Sequence, residues 1–87
     1  MNIKARRFGG DDLDGATLRA YGLTEDDIGE YAAIQYGTIC LGTGSTPEAA
    51  LLDASQWCGE PVVDDVAEKR RAGQDGDVEV VLIEMAD

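Results

Sequence analysis

The chain has 87 residues, 44% of them hydrophobic, and a formal net charge of −11 from 18 acidic and 7 basic side chains. That length suits a single domain, residues 1–87, with one modest core, and the hydrophobic share excludes a disordered chain. The charge excludes direct nucleic-acid binding, because affinity for phosphates comes from lysines and arginines that release counterions.

The charge is unevenly spread. Lys4, Arg6 and Arg7 stand near one end and Lys69, Arg70 and Arg71 near the other, and between Phe8 and Lys69 thirteen acids face Arg19 alone. An acidic body of this kind attracts a partner that is itself basic, a basic protein or a nucleoprotein complex. A solubilising surface, or the acidic bias of a salt-adapted organism, accounts for the same numbers; two lysines in the chain fit the latter. No early apolar run resembles a signal peptide, and no stretch approaches the roughly 18 to 20 apolar residues of a membrane span. The expected location is the cytoplasm, with no membrane partner.

Residues 1–8 suit a short strand with Ile3, Ala5 and Arg7 on one face and Lys4, Arg6 and Phe8 on the other. Charges on both faces mark an edge strand, and Gly9-Gly10 ends it. Residues 11–30 form a polar insert with one or two short helices. The first starts at Asp11 or Asp12, carries Leu13, Leu18 and Tyr21 as an imperfect apolar stripe, and stops at Gly22. Gly15 weakens it by about 1 kcal/mol relative to alanine. Thr24 opens the second, with Glu25, Asp26 and Asp27 where the helix dipole favours negative charge, and Ile28 anchors it. The run LRAYGLTEDDI has the outline of a helix-turn-helix corner, but its second helix carries acids where a DNA reader needs bases.

YAAIQYGTICLGT, residues 31–43, reads as a hairpin with strands over 31–35 and 38–42 and a turn at Tyr36-Gly37; the alternative is one longer strand kinked at Gly37. Tyr31 and Tyr36 are expected in packing roles. The most explicit element follows over residues 45–58. Ser45 and Glu48 have capping-box spacing, Pro47 sits in the first turn, and Ala50, Leu51, Ala54, Trp57 and Cys58 draw one apolar stripe. Gly59 and Pro61 stop it. With few aromatics in the chain, Trp57 is expected to pack on the sheet. Residues 62–72 read as another helix, opened by Asp64 and Asp65 and closed by Lys69, Arg70 and Arg71. VEVVLIEM, residues 78–85, is the strongest strand; Val78, Val80 and Leu82 alternate with Val81, Ile83 and Met85, so it belongs in the centre of the sheet. The fold expected is α+β: a small, mostly antiparallel sheet of about four strands, with one main helix packed on one face plus short helices, in two layers.

The chemistry of catalysis is missing. The chain has no histidine, so Ser–His and Cys–His arrangements cannot form. Cys40 and Cys58 form no C-x-x-C pair and read as small buried hydrophobes. The carboxylate pairs Asp11–Asp12, Asp26–Asp27 and Asp64–Asp65 coincide with helix starts. DDLDG echoes an EF-hand loop without the bidentate glutamate that should follow, and GTGS lacks the lysine of a phosphate loop. No enzyme activity, cofactor or metal site is expected.

The strand and turn leading into GSTPEAALLDA, residues 44–54, resemble a unit of the HicB antitoxin family, whose helix opens similarly with a threonine, an acid and an alanine–leucine pair. The resemblance covers residues 38–59, and the insert at 11–30 departs from the HicB layout. The chain also resembles small anti-CRISPR proteins of phages in size, acidity and simple α+β layout. These resemblances imply a non-enzymatic inhibitor that blocks a nucleic-acid-handling defence complex, placed in the host cytoplasm if phage-encoded, or a HicB-like antitoxin that neutralises a toxin. The salt-adapted accessory protein is a third expectation, and a homodimer is left open. The residues expected to meet a partner are Asp11, Asp12, Asp14, Glu25, Asp26, Asp27 and Glu30.

Overall fold

The computed structural model describes residues 2–8, 10–66, 69, 72–73 and 76–86. Its sheet is arranged around β4 (Val78–Met85), the run richest in β-branched residues. β1 (Ile3–Arg6) pairs with one side of β4 and β2 (Tyr31–Gln35) with the other, and β3 (Ile39–Gly44) pairs with β2, all antiparallel, in the order β1-β4-β2-β3. β4 is central and β1 is an edge, as their side-chain patterns imply. The β2–β3 turn passes through Gly37 at φ 76°, in the left-handed region that glycine adopts freely.

β1 reaches only residues 82–85 of β4. Nearer the start of β4 two carboxylates supply what a longer strand would have: Val78 N–H donates to Asp65 Oδ1 at 2.8 Å and Val80 N–H to Asp64 Oδ2 at 3.2 Å. Asp64 and Asp65 therefore complete the sheet, where their sequence position suggested only a helix start. Residues 61–64 lack regular structure, and helix is present at Asp65, Val66 and Lys69. The rest of the helix expected over 62–72 at 67, 68, 70 and 71 lies outside the described residues.

Residues 11–30 cover one face of the sheet. Leu13 bridges to Ala5 through two 2.9 Å backbone hydrogen bonds, which hold it extended and delay the helix. α1 (Gly15–Ala20) therefore starts from Asp14, not from Asp11 or Asp12, and Asp14 accepts the Thr17 N–H. A Cβ on Gly15 would lie 2.9 Å from Ile3 O, so that glycine permits close contact with β1 and is more than a weak point in a helix. Leu18 and Leu23 are buried against Ile3, Ala5, Ala32, Ile34, Val81 and Ile83, with Leu13, Tyr21, Ile28, Tyr36 and Cys40 around them. Thr24 then caps a single 3-10 turn, Glu25–Asp27, in a capping box with Asp27.

α2 (Pro47–Cys58) lies across the other face, with Ala50 and Ala54 buried against Ala33 and Val80. The fold is thus the expected small antiparallel α+β sheet with one main helix, but in three layers, because the insert packs where a bare face was expected. The helix cap also differs. Thr46, not Ser45, is the N-cap: it accepts the Ala49 N–H at 3.0 Å, and Glu48 closes no box with Ser45. The cause is Pro47 at the first helical position, which forces the preceding residue into the extended conformation that an N-cap needs. Gly59 ends the helix at φ 72° as expected.

The larger correction concerns Trp57, which is 81% exposed, and Cys58, also exposed. Gly42 and Gly44 of β3 bring α2 so near the sheet that a Cβ on Gly42 would lie 2.8 Å from Ala50 O, and one on Gly44 2.6 Å from Ala49 Cβ. Only alanines fit beneath a helix at that distance. The bulky members of the stripe are displaced to its flank.

Candidate functional site

The seven acids proposed to meet a partner all lie in the insert, but local structure uses several of them. Asp14 caps α1, and that hydrogen bond to Thr17 holds its carboxyl below the usual aspartate range. Asp27 accepts the Thr24 N–H at 2.9 Å. Asp12 lies 3.7 Å from Lys4 Nζ. Glu30 is half-buried, and its backbone carbonyl accepts the Ile83 N–H at 2.9 Å, which extends β2 alongside β4. Asp11, Glu25 and Asp26 remain exposed, and their side chains make no hydrogen bond or ion pair among the described residues. α1 separates the seven into Asp11, Asp12 and Asp14 beside β1, and Glu25, Asp26, Asp27 and Glu30 ahead of β2.

Two features escaped the sequence. The first is Glu79 on the central strand, 3% exposed, on the face of Val81 and Ile83. Arg7 Nε donates to Glu79 Oε1 at 2.7 Å, the Tyr36 hydroxyl donates to the same oxygen, and the Arg7 guanidinium lies 5.6 Å from the centre of the Tyr36 ring. The Glu79 carboxylate holds the Arg7 charge more firmly. Burial first, and then the bond to Glu79, push the Tyr36 hydroxyl well above its ordinary value. The available signal was phase: Arg7 alternates with Ile3 and Ala5, and Glu79 with Val81 and Ile83, so two opposite charges fall on core-facing positions of paired strands. Tyr36 does pack, as expected, and Tyr31 stacks on Phe8 with ring centroids 6.1 Å apart.

The second is an open groove of about 480 Å³ along the outer edge of β3, lined by Ile39–Thr43 and by Asp53, Trp57 and Cys58 of α2. Thr43 N–H donates to Asp53 Oδ2 at 3.0 Å, which fixes the carboxylate at the groove wall. Cys40, expected in the core, is half-buried here; burial pushes its thiol up, and the carboxylates of Asp27 and Asp53 add to that. Both cysteines are free. Nothing in the sequence marked the groove, because it exists only once Gly42 and Gly44 have set the height of the helix.

Among the described residues no three histidine, cysteine or carboxylate side chains come together as a metal site, and no helix is long and apolar enough to cross a membrane. Compared with known protein families, curated proteins and solved structures, the chain matches none.

Proposed function

We propose that this protein is a non-enzymatic inhibitor of the anti-CRISPR kind, which binds a basic nucleic-acid-handling complex through the acidic layer formed by residues 11–30. The observation that carries this reading is that Asp11, Glu25 and Asp26 are exposed and make no hydrogen bond or ion pair among the described residues, Asp11 acting on Arg7 only through its field, while Asp12, Asp14, Asp27 and Glu30 add negative charge to the same insert. The free carboxylates compete for lysines and arginines that otherwise hold a nucleic-acid backbone, and those of Asp12, Asp14, Asp27 and the half-buried Glu30 strengthen the field. Binding of this kind weakens with salt.

The test is capture of partners from the native host at low salt, by the wild-type protein and by the double variant Glu25→Lys, Asp26→Lys. Asp27 is spared because its carboxylate caps the 3-10 turn. The wild-type protein should retain basic proteins that elute as salt rises, and the variant should lose them while unfolding at the same denaturant concentration. Equal capture by a folded variant rules out the acidic layer as the contact. The groove beside β3 supports a second reading, a HicB-like antitoxin that holds its toxin along the sheet edge, and a neighbouring toxin gene would favour it.

A further inference from the structure

We infer that the groove beside β3 seats a cationic side chain of the basic partner, with its charged head between the Trp57 ring and the Asp53 carboxylate and its aliphatic stem along Ile39 and Leu41. This inference rests on the reading of the protein as a binder of basic surfaces, and it adds a specific pocket to a diffuse acidic layer.

Four observations point to that occupant. Asp53 is the one charged residue in a mostly apolar lining, so an apolar occupant would strip water from a carboxylate that has no cation beside it and an acidic one would be repelled. Its Oδ2 is held by Thr43 N–H while Oδ1 makes no hydrogen bond among the described residues, which leaves an acceptor open on a residue that lines the groove. Trp57 offers the aromatic face that attracts cations most strongly, and it is 81% exposed. The edge itself resists a strand: the β2–β3 register slips between Ala33 and Ile34, with Leu41 as the extra residue on β3, and Asp53 already takes the Thr43 N–H. Bulges and covered N–H groups are how edge strands avoid strand addition, so the occupant enters through a side chain.

A second copy of the chain fits poorly, because each copy carries a net charge of −11. The Cys40 thiol, which lines the groove, feels the carboxylates of both Asp27 and Asp53, so the insert adds to the negative field there.

Trp57 is the sole tryptophan, so its emission reports directly on the groove. The probe is a capped peptide of alternating leucine and arginine, titrated at low salt, with a leucine–glutamate peptide as control. The wild-type protein should give a saturable change in emission with the arginine peptide alone. Asp53→Asn keeps an oxygen for Thr43 N–H, and it should weaken that binding about tenfold, the scale expected for loss of one charge-assisted contact. An unchanged affinity in this variant, or no saturable response from the wild type, overturns the inference. So does a peptide-independent dimer in sedimentation that Trp57→Ala dissolves, since the groove then belongs to a second copy. The Glu25→Lys, Asp26→Lys variant separates this from the broader reading. If it alone loses the peptide, the acidic layer stands without the groove; if Asp53→Asn alone does, the groove stands without the layer.

Discussion

Ile34, Val81 and Ile83 fill the space beneath residues 11–30 with branched side chains, whereas the opposite face meets α2 through Gly42, Gly44, Ala33, Ala50 and Ala54. On the first face the layers stand apart by the size of large side chains, and a polar group, Glu79 with Arg7 and Tyr36, is accommodated among them. On the second face the backbone of α2 approaches that of β3, Val80 is buried beside Ala33, and the larger side chains of the helix itself are set towards its flank. One sheet thus carries two kinds of packing, and each fails differently when it is changed.

The largest effect should come from Glu79. Replacing it by alanine leaves the half-buried Arg7 without its carboxylate and the Tyr36 hydroxyl without its acceptor, and should cost about 3 kcal/mol in denaturant unfolding. Changing both Glu79 and Arg7 to methionine should recover most of that loss, because the charge left behind, more than the missing contact, carries the cost. The same group predicts an alkaline limit. Tyr36 is held above its ordinary value of 10.0, mainly by burial. An unfolded tyrosine therefore gives up its proton near pH 10 while the folded one keeps it. The unfolded state then binds fewer protons, and stability falls as pH rises beyond that point. Tyr36→Phe should remove this slope, and a stability profile that is flat to pH 11 in the wild-type protein would contradict it.

The contrast between the faces becomes sharper with a pair of opposite volume changes. Leu18→Ala empties space on the insert face and should cost about 3 kcal/mol. Gly42→Ala adds a methyl group on the helix face and should cost about 2 kcal/mol, because the backbone of Ala50 and Ala54 must move. If the alanine at position 42 were tolerated, the close approach of α2 would not be what sets that face.

How far the sequence could reveal these arrangements follows from the same division. Strand identity depends on local alternation and β-branched content, so β2, β4 and the edge position of β1 could be read residue by residue. The stop at Gly59 and the cap at Thr24 are equally local. Layer distances are not. Gly42 reads as the last residue of a strand and Gly44 as part of the turn after it until their pairing with β2 sets both beneath a helix, and the apolar stripe on α2 then does not reveal which of its members will be buried. The candidate site suffers most, since the acids of residues 11–30 were plain to see while the Asp53–Trp57 groove and the Glu79 group depend on contacts between distant segments.

A smaller effect distinguishes the two candidate caps. Thr46→Ala removes the oxygen that holds the Ala49 N–H and should cost about 1 kcal/mol, whereas Ser45→Ala should stay within about 0.5 kcal/mol. A reversed order would return the helix start to Ser45 and with it the capping box with Glu48.

The smallest expected effect discriminates best between the two ways of reading α2. A tryptophan packed on the sheet would cost about 3 to 5 kcal/mol on truncation, whereas an exposed one should change stability by no more than about 0.5 kcal/mol. Trp57→Ser should therefore leave the unfolding midpoint almost where it is, and Trp57 emission in the folded protein should already resemble that of a solvated indole. A large loss on this substitution would mean that α2 is turned on its axis relative to β3. The alanines would then no longer be its buried face, and the groove that Trp57 and Asp53 wall would not exist.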